Sequence, residues 1–190
     1  MSSQVWWFVA RSSGIVAWAL LSLSVCWGLF LSTKAVAKAA TPAPLLDLHR
    51  HLGGLAVVFT AMHLVGLVAD SYVTFGWVEI FVPMASTWKT GAVAFGVVGM
   101  YLLVAIEVSS LAKRWLPNGL WRWVHRSSFV LYFVATYHGI AAGTDHTNQW
   151  FRLAALASVN VVMFLTIVVI LKSRRARLQG ATARRELLDA

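Results

Sequence analysis

The sequence predicts an all-α integral membrane protein, a bundle of five transmembrane helices, and three observations predict it. Hydrophobic residues make up 59% of the 190 residues and charged residues only 12%. The mean hydropathy is +0.71, and a water-soluble domain of this length could not bury so much apolar surface. The apolar residues are also gathered into five runs, each long enough to cross a bilayer at roughly 20 residues per helix.

Short links that contain helix-ending residues separate the five runs. The predicted spans lie near Trp6–Leu31, Leu45–Ala69, Gly91–Leu111, Trp121–Ala142 and Phe151–Leu171. The links hold Pro42, Pro44, Pro83, Pro117, Asn118, Gly119 and Gly143. We therefore expect one membrane domain over residues 1–172 and a basic tail over residues 173–190.

The distribution of positive charge predicts the orientation in the membrane. The formal net charge is +9, and the 16 lysines and arginines cluster in the first link, in the third link and after the fifth span. Because cytoplasmic links carry an excess of such residues, this pattern indicates membrane orientation and not nucleic-acid binding. We expect a multi-pass protein of the plasma membrane, with its N-terminus outside and its C-terminus in the cytoplasm.

Two further features restrict the class of protein. The stretch "AVAKAA" after the first span resembles a signal-peptide cleavage site. However, the preceding apolar run is long for a signal peptide and lysines follow it, so we expect the segment to be retained. The one cysteine, Cys26, excludes an intrachain disulfide framework and a cysteine-rich zinc or iron–sulfur site.

Histidines in the apolar runs carry the functional prediction. His49 and His63 stand at positions i and i+14 of span two, and His125 and His138 at positions i and i+13 of span four. Both separations correspond to roughly 20 Å along a helix. Spans two and four run in the same direction, so His49 matches His125 in depth and His63 matches His138.

Paired imidazoles on neighbouring helices can ligate a haem iron from both faces. The sequence therefore predicts two haem b groups between spans two and four, with the pairs His49/His125 and His63/His138 as iron ligands. On an ideal helix, the i+14 spacing brings His63 to within about 40° of His49, whereas the i+13 spacing leaves His138 about 140° from His125. Either span four is locally distorted or the two haems lie at different azimuths.

Other side chains are expected to support such a site. Arg50 and Arg126 each follow an inner histidine and are candidates to contact haem propionates, as is Arg11 for the outer haem. Glycines next to the histidines would leave room for the flat macrocycle, and aromatic residues between the two layers would pack against it. These residues are Gly53, Gly54, Gly139, Phe59, Phe129, Tyr132 and Phe133.

Simpler interpretations of the same residues stay open. The histidines could bond backbone carbonyls without binding a cofactor, and zinc is conceivable at the inner pair with Asp47 and Cys26. We expect His51 to be a bystander. Arg11 could simply extend to the membrane surface. Glu107 could pair with a neighbouring cation or relay protons.

The segments "HRHLGGLAVVFTAMH" and "WRWVHRSSFVLYFVATYHGIAAGTD" resemble the ferric reductase-like transmembrane domain family. That family includes the membrane cores of ferric reductases and NADPH oxidases and the haem subunit of the bacterial methionine sulfoxide reductase system. The chain is most similar to its small stand-alone actinobacterial members, and the resemblance covers roughly residues 6–150. It implies that His49, His63, His125 and His138 are haem ligands. The first helix of six-span members has no counterpart here. The sulfoxide reductase subunit has arginine where this chain has His49, which favours two haems over one.

The resemblance also implies a function in electron transfer. Ferric reductases and NADPH oxidases carry a flavin and nicotinamide module after the last span, and no GxGxxG-type loop occurs in this sequence. We expect electrons to come from a partner protein or a quinol on the cytoplasmic side. They would leave to an extracytoplasmic acceptor, a flavoprotein or ferric iron, at a surface formed by Asp70, Asp145, His146 and Trp150. The alternative is a non-catalytic membrane anchor or assembly subunit of a larger redox complex, with the basic tail binding a partner or anionic lipid.

Overall fold

The structure is a computed structural model that describes residues 3–33, 42–71 and 75–189, and all regular structure within them is helical. The helices are α1 (Ser3–Ser32), α2 (Pro42–Ala69), α3 (Trp77–Phe81), α4 (Thr90–Leu111), α5 (Asn118–Arg126), α6 (Ser128–Ala142) and α7 (Gln149–Asp189). Short 3₁₀ turns at Lys113–Trp115 and Thr144–Thr147 connect α4 to α5 and α6 to α7. The predicted all-α fold is confirmed. The lysines of the first link and the "AVAKAA" stretch lie outside the described residues.

Four of these helices are long and apolar enough to cross a membrane. They contribute the stretches Gln4–Ser32, Ala43–Ala69, Thr90–Leu111 and Gln149–Gln179. They correspond to predicted spans one, two, three and five. The protein is therefore a multi-pass membrane protein.

The predicted fourth span is divided into two helices. α5 has nine residues and α6 has 15, so neither alone reaches the roughly 20 residues of a transmembrane helix. At the junction the Ser127 amide donates to the Val124 carbonyl at 3.0 Å, three residues back. This tighter, 3₁₀-type turn lies between His125 and His138. It therefore changes the angle between the two side chains around the helix axis. Of the two alternatives for span four, the local distortion is the one that the structure shows.

Contacts between helix ends define two ends of the bundle. Arg11 of α1 contacts Asp145 after α6, and Lys89 before α4 donates to the Ala141 carbonyl at 3.0 Å. We call this the Arg11 end. At the opposite end the Lys172 ammonium of α7 donates to the Thr33 carbonyl at 3.2 Å, and we call this the Lys172 end.

The hydrophobic core lies between these two ends. Tyr132 of α6 and Val162 of α7 are almost completely buried, with 0% and 1% of their surface exposed. The core also includes Leu21, Val25, Leu29, Ala56, Leu103, Ile106 and Leu131. α1 and α2 approach closely at Gly66, where an added Cβ would lie 2.7 Å from the Ala10 nitrogen. Such contacts between small residues are typical of helix packing in membranes.

Candidate functional site

The four histidines singled out from the sequence lie in two pairs, one toward each end of the bundle. The ring centroids of His49 and His125 are 6.0 Å apart, and those of His63 and His138 are 6.4 Å apart. The rings of each pair are nearly perpendicular, at 76° and 79°. Each pair joins α2 to the divided span, with His125 on α5 and His138 on α6.

Three of these imidazoles hydrogen-bond a backbone carbonyl of a neighbouring helix through Nδ1. His63 bonds the Ala10 carbonyl at 2.6 Å, His138 bonds the Ala92 carbonyl at 2.8 Å, and His49 bonds the Ser24 carbonyl at 3.1 Å. A carbonyl can only accept, so Nδ1 carries the proton and Nε2 keeps its lone pair. This is the arrangement that metal-ligating histidines usually adopt.

A glycine lies four residues after each accepting carbonyl, and together they form a notch for the ring. An added Cβ on Gly14 would lie 2.8 Å from Nδ1 of His63, and one on Gly28 would lie 3.1 Å from Cε1 of His49. On Gly96 it would lie 2.5 Å from Cε1 of His138. We call each carbonyl with its glycine a carbonyl–glycine notch. Sequence reasoning missed these glycines, although Gly14 and Gly28 repeat the i, i+14 spacing of His49 and His63.

His125 is held differently from the other three histidines. Its Nδ1 is buried and has no hydrogen-bond partner among the described residues. Its ring instead stacks on Trp121, with centroids 5.1 Å apart and planes at 21°. The Lys113 ammonium lies 4.1 Å from the centroid of that tryptophan ring. Stacking within α5, and not a hydrogen bond to another helix, therefore sets the ring orientation of His125.

The geometry and chemistry of both pairs fit a haem iron. Two imidazole nitrogens that share one metal ion, each about 2 Å from it, hold their ring centres about 6 Å apart. The observed 6.0 and 6.4 Å agree with this spacing. The described residues contain no group of three or more His, Cys, Asp and Glu side chains placed to hold a metal ion. The zinc alternative with Asp47 and Cys26 therefore gains no support.

A cavity of about 280 Å³ lies at the Arg11 end and is bordered by His63 and His138. Its wall combines apolar residues with the small residues Gly14 and Gly96, and it also includes Arg11. A mostly apolar pocket with few polar groups is the usual form of a cofactor site.

The charged residues that border this cavity are Arg11 and the carboxylates Asp70, Glu79 and Asp145. The Arg11 guanidinium binds both carboxylate oxygens of Asp145, with Nε 2.7 Å from Oδ2, and it lies over the Trp7 ring. Asp70 also borders the cavity, and its Oδ1 is buried without a hydrogen-bond partner among the described residues. Arg11 thus borders the cavity beside His63 and His138, with Asp145 as its partner, and its contact with a haem propionate stays a prediction.

Several predicted site residues lie at the surface of the structure. Arg50 and Arg126 are both exposed, and Arg50 bonds Asp47 at 3.2 Å. His51 is exposed, with its Nδ1 on the Asp47 carbonyl of its own helix at 2.8 Å. At the other end, His146 bonds the Gly143 carbonyl and Trp150 is exposed. The structure brings none of these side chains into either histidine pair.

Among the glycines and aromatic residues that were expected to support the site, some contact the interior of the bundle and others do not. An added Cβ on Gly53 would overlap a Glu107 carboxylate oxygen, whereas one on Gly54 would meet nothing within 4 Å. Gly139 faces Phe151 at an ordinary 3.8 Å. Tyr132 is buried between the two histidine layers and bonds Ser158 through its hydroxyl. Phe133 is 44% exposed and so faces outward.

Together these features define a class, a helical membrane protein with paired histidines at two levels of one bundle. Comparison with protein families then places it more narrowly. The family model described as "Ferric reductase like transmembrane component" matches residues 13–136, and the chain belongs to this family. The match includes His49, His63 and His125 and ends two residues before His138. No curated protein and no solved structure matches the chain. Membership of the family suggests a role in membrane redox chemistry.

Proposed function

We propose that this protein is a b-type cytochrome that moves electrons across the membrane through two bis-histidine haems. His49 and His125 would hold one haem, and His63 and His138 the other. The observation that carries the proposal is the set of three carbonyl–glycine notches. Each notch fixes the protonated Nδ1 against a neighbouring helix and leaves the lone pair of Nε2 free to ligate a metal.

Haem supplies a reversible one-electron change when it is bound, while the helices supply ligation, spacing and a dry environment. His49 and His63 separate the two levels by roughly 20 Å along α2. The buried core around Tyr132 and Val162 excludes water between the two levels. Arg11 adds a positive charge near the cavity, partly neutralised by Asp145.

The proposal includes a fifth span and an orientation. The helices α5 and α6, each too short alone, follow one another directly and together exceed the roughly 20 residues that cross a bilayer, so they would form one broken span. With five spans the N-terminus and the Arg11 end lie outside, and the basic tail after Lys172 is cytoplasmic. Electrons would enter near His49 and His125 from a partner protein or a quinol. They would leave near His63 and His138 to an extracytoplasmic flavoprotein or ferric iron.

The test is a reduced-minus-oxidised absorption spectrum of the full chain, purified from cells supplied with haem precursors, with the haem per chain quantified. We expect a b-type spectrum and two haems per chain. A colourless protein would contradict the proposal and favour the alternative of a non-catalytic anchor subunit. One haem per chain would contradict the two-level arrangement. The anchor alternative predicts a colourless protein. It also predicts that truncation after Lys172 abolishes co-purification of the partner.

A further inference from the structure

The segment before α4 contains large apolar side chains on its outer face. We call residues 75–84 the α3 segment, since α3 lies within it. Trp77, Val78, Phe81, Val82 and Met84 are each between 46% and 68% exposed. Its inner face is different, because Phe75 and Ile80 are buried and Glu79 is half-buried, and all three border the cavity at the Arg11 end. The segment therefore has one face toward the cavity and one apolar face directed outward.

Two contacts fix the position of the α3 segment along the transmembrane helix α4. Phe75 packs against Val93 and Val97 in the first two turns of α4. Farther along the segment, the Tyr101 hydroxyl donates to the Phe81 carbonyl at 2.7 Å. Tyr101 lies three turns after Thr90, about 16 Å along the helix. Allowing roughly 6 Å for its side chain, which leans toward the helix N-terminus, the Phe81 carbonyl lies about 10 Å below the level where α4 begins.

Several backbone groups of the α3 segment are paired within the protein, as a hydrocarbon environment requires of polar groups. The Gly76 amide donates to the Glu79 carboxylate at 2.8 Å. The Val82 amide donates to the Val78 carbonyl at 2.8 Å, and the Phe81 carbonyl accepts from Tyr101. Pro83 has no amide proton to satisfy. The hydroxyl of Tyr101, whose side chain is itself 48% exposed, would in turn lack a partner in lipid without this contact.

We propose that the α3 segment is inserted into the membrane beside α4, with lipid acyl chains against its outer face and the cavity behind its inner face. It thus forms a wall between the lipid and the cavity at the Arg11 end. The occupant of the outer face is lipid, because the contact with Tyr101 places that face about 10 Å below the start of a transmembrane helix. An aqueous position would be inconsistent with that depth. The inference does not depend on haem binding.

Spin labels test the depth directly in the full chain reconstituted in liposomes. The background is Cys26→Ala, and labels are attached at Val78→Cys and Val82→Cys. Val104→Cys on α4 serves as the lipid-facing control, and Thr147→Cys as the aqueous control. We expect the ratio of collisions with oxygen to collisions with a water-soluble nickel complex to match the Val104 control. It should exceed the Thr147 control about tenfold or more, since a polar complex is strongly excluded from hydrocarbon. Ratios that match the Thr147 control would overturn the proposal.

A second pair of variants tests how the segment is held at that depth. Tyr101→Phe removes the hydroxyl that the Phe81 carbonyl bonds and should raise access of the nickel complex to the Val82 label severalfold. Tyr137→Phe, which removes a hydroxyl from α6, is the matched control and should leave that access unchanged. An unaltered label in Tyr101→Phe would refute the anchoring role of Tyr101. Equal changes in both variants would refute it as well, because the effect would then be a general loosening.

Discussion

At the Arg11 end, both histidines of the pair donate Nδ1 to a carbonyl of another helix and rest in carbonyl–glycine notches. At the Lys172 end only His49 does so, and its hydrogen bond, at 3.1 Å, is longer than the 2.6 and 2.8 Å at the other pair. His125 has a buried Nδ1 without a hydrogen-bond partner in the described part of the chain, and it stacks on Trp121. Both histidines at the Arg11 end are thus fixed by hydrogen bonds to other helices, whereas only one of the two histidines at the Lys172 end is.

The difference originates in the two helices that receive the rings. α1 contains the notch twice, because Gly14 and Gly28 have the same i, i+14 spacing as His49 and His63 on α2. α4 contains it once, at Gly96, and the corresponding i+14 position is Ser110. In addition, the break at Ser127 places His125 on a separate short helix. Each histidine of α2 therefore has its own notch on α1. On the other side of the pairs, α4 provides a notch for His138 only, and His125 lies on a separate short helix.

The largest effect is expected from replacing a histidine at the better-held pair. His63→Ala or His138→Ala removes one of the two proposed iron ligands at the Arg11 end, and we expect the haem per chain to fall by half. Haem quantification with the difference spectrum measures it. His51→Ala is the matched control, because His51 is exposed and bonds its own helix. If His51→Ala also lost half of the haem, the two-pair assignment would be wrong.

A graded series of glycine substitutions tests the notches themselves. In Gly96→Ala the new methyl would lie 2.5 to 3.0 Å from three atoms of the His138 ring, so the ring must move, and we expect that haem to be largely lost. Gly28→Ala, at 3.1 Å from His49, should weaken its haem only partly. Gly54→Ala meets nothing within 4 Å and should retain both haems, with a small gain of up to about 1 kcal/mol from helix propensity.

The readout for this series is the haem per chain after gel filtration, with thermal unfolding recorded in parallel. The order Gly96, Gly28, Gly54 from largest to smallest loss is the result that the notch geometry requires. Equal losses for Gly28→Ala and Gly54→Ala would show that the notch on α1 does not position His49.

Much of the fold, and less of the site, was predictable from the sequence. Composition and run length correctly predicted helices and spans one, two, three and five, because hydrocarbon thickness fixes the length of an apolar run. The spacing of the histidines on α2 and on the fourth span indicated which side chains to compare across helices. The break at Ser127 was anticipated only as one of two alternatives, since it depends on how α5 packs against α4.

The missed features depend on contacts between helices that a single sequence does not display. The glycines next to the histidines in sequence, such as Gly54, were expected to make room, whereas the glycines that touch the rings belong to other helices. The Asp145 partner of Arg11 is 134 residues away. The haem assignment and the roles of Arg50 and Arg126 stay predictions.

The comparison of the two ends also predicts a difference in haem retention. Loss of a hydrogen bond to the second nitrogen of a ligating histidine typically weakens metal binding about 10- to 100-fold. Because Nδ1 of His125 lacks such a bond, we expect the haem at the Lys172 end to transfer to excess apomyoglobin about tenfold faster. His63→Ala, which should retain only the haem at the Lys172 end, and His49→Ala, which should retain only the other, allow the two rates to be measured separately. Equal rates would show that stacking on Trp121 holds His125 as well as a notch does.

The smallest effect concerns the ion pair at the Arg11 end, and its size depends on which partner is removed. Arg11→Gln leaves the Asp145 carboxylate, whose side chain is only 9% exposed, without its cation. We expect this to cost about 2 kcal/mol of unfolding free energy, because a buried charge then lacks compensation. Asp145→Asn leaves Arg11, whose side chain is 36% exposed and can be hydrated, so its cost should stay below about 1 kcal/mol. Thermal unfolding in detergent compares the two variants. The asymmetry is informative because a surface ion pair would give two equally small effects, whereas a pair that closes the Arg11 end of the bundle must be more sensitive to loss of the arginine.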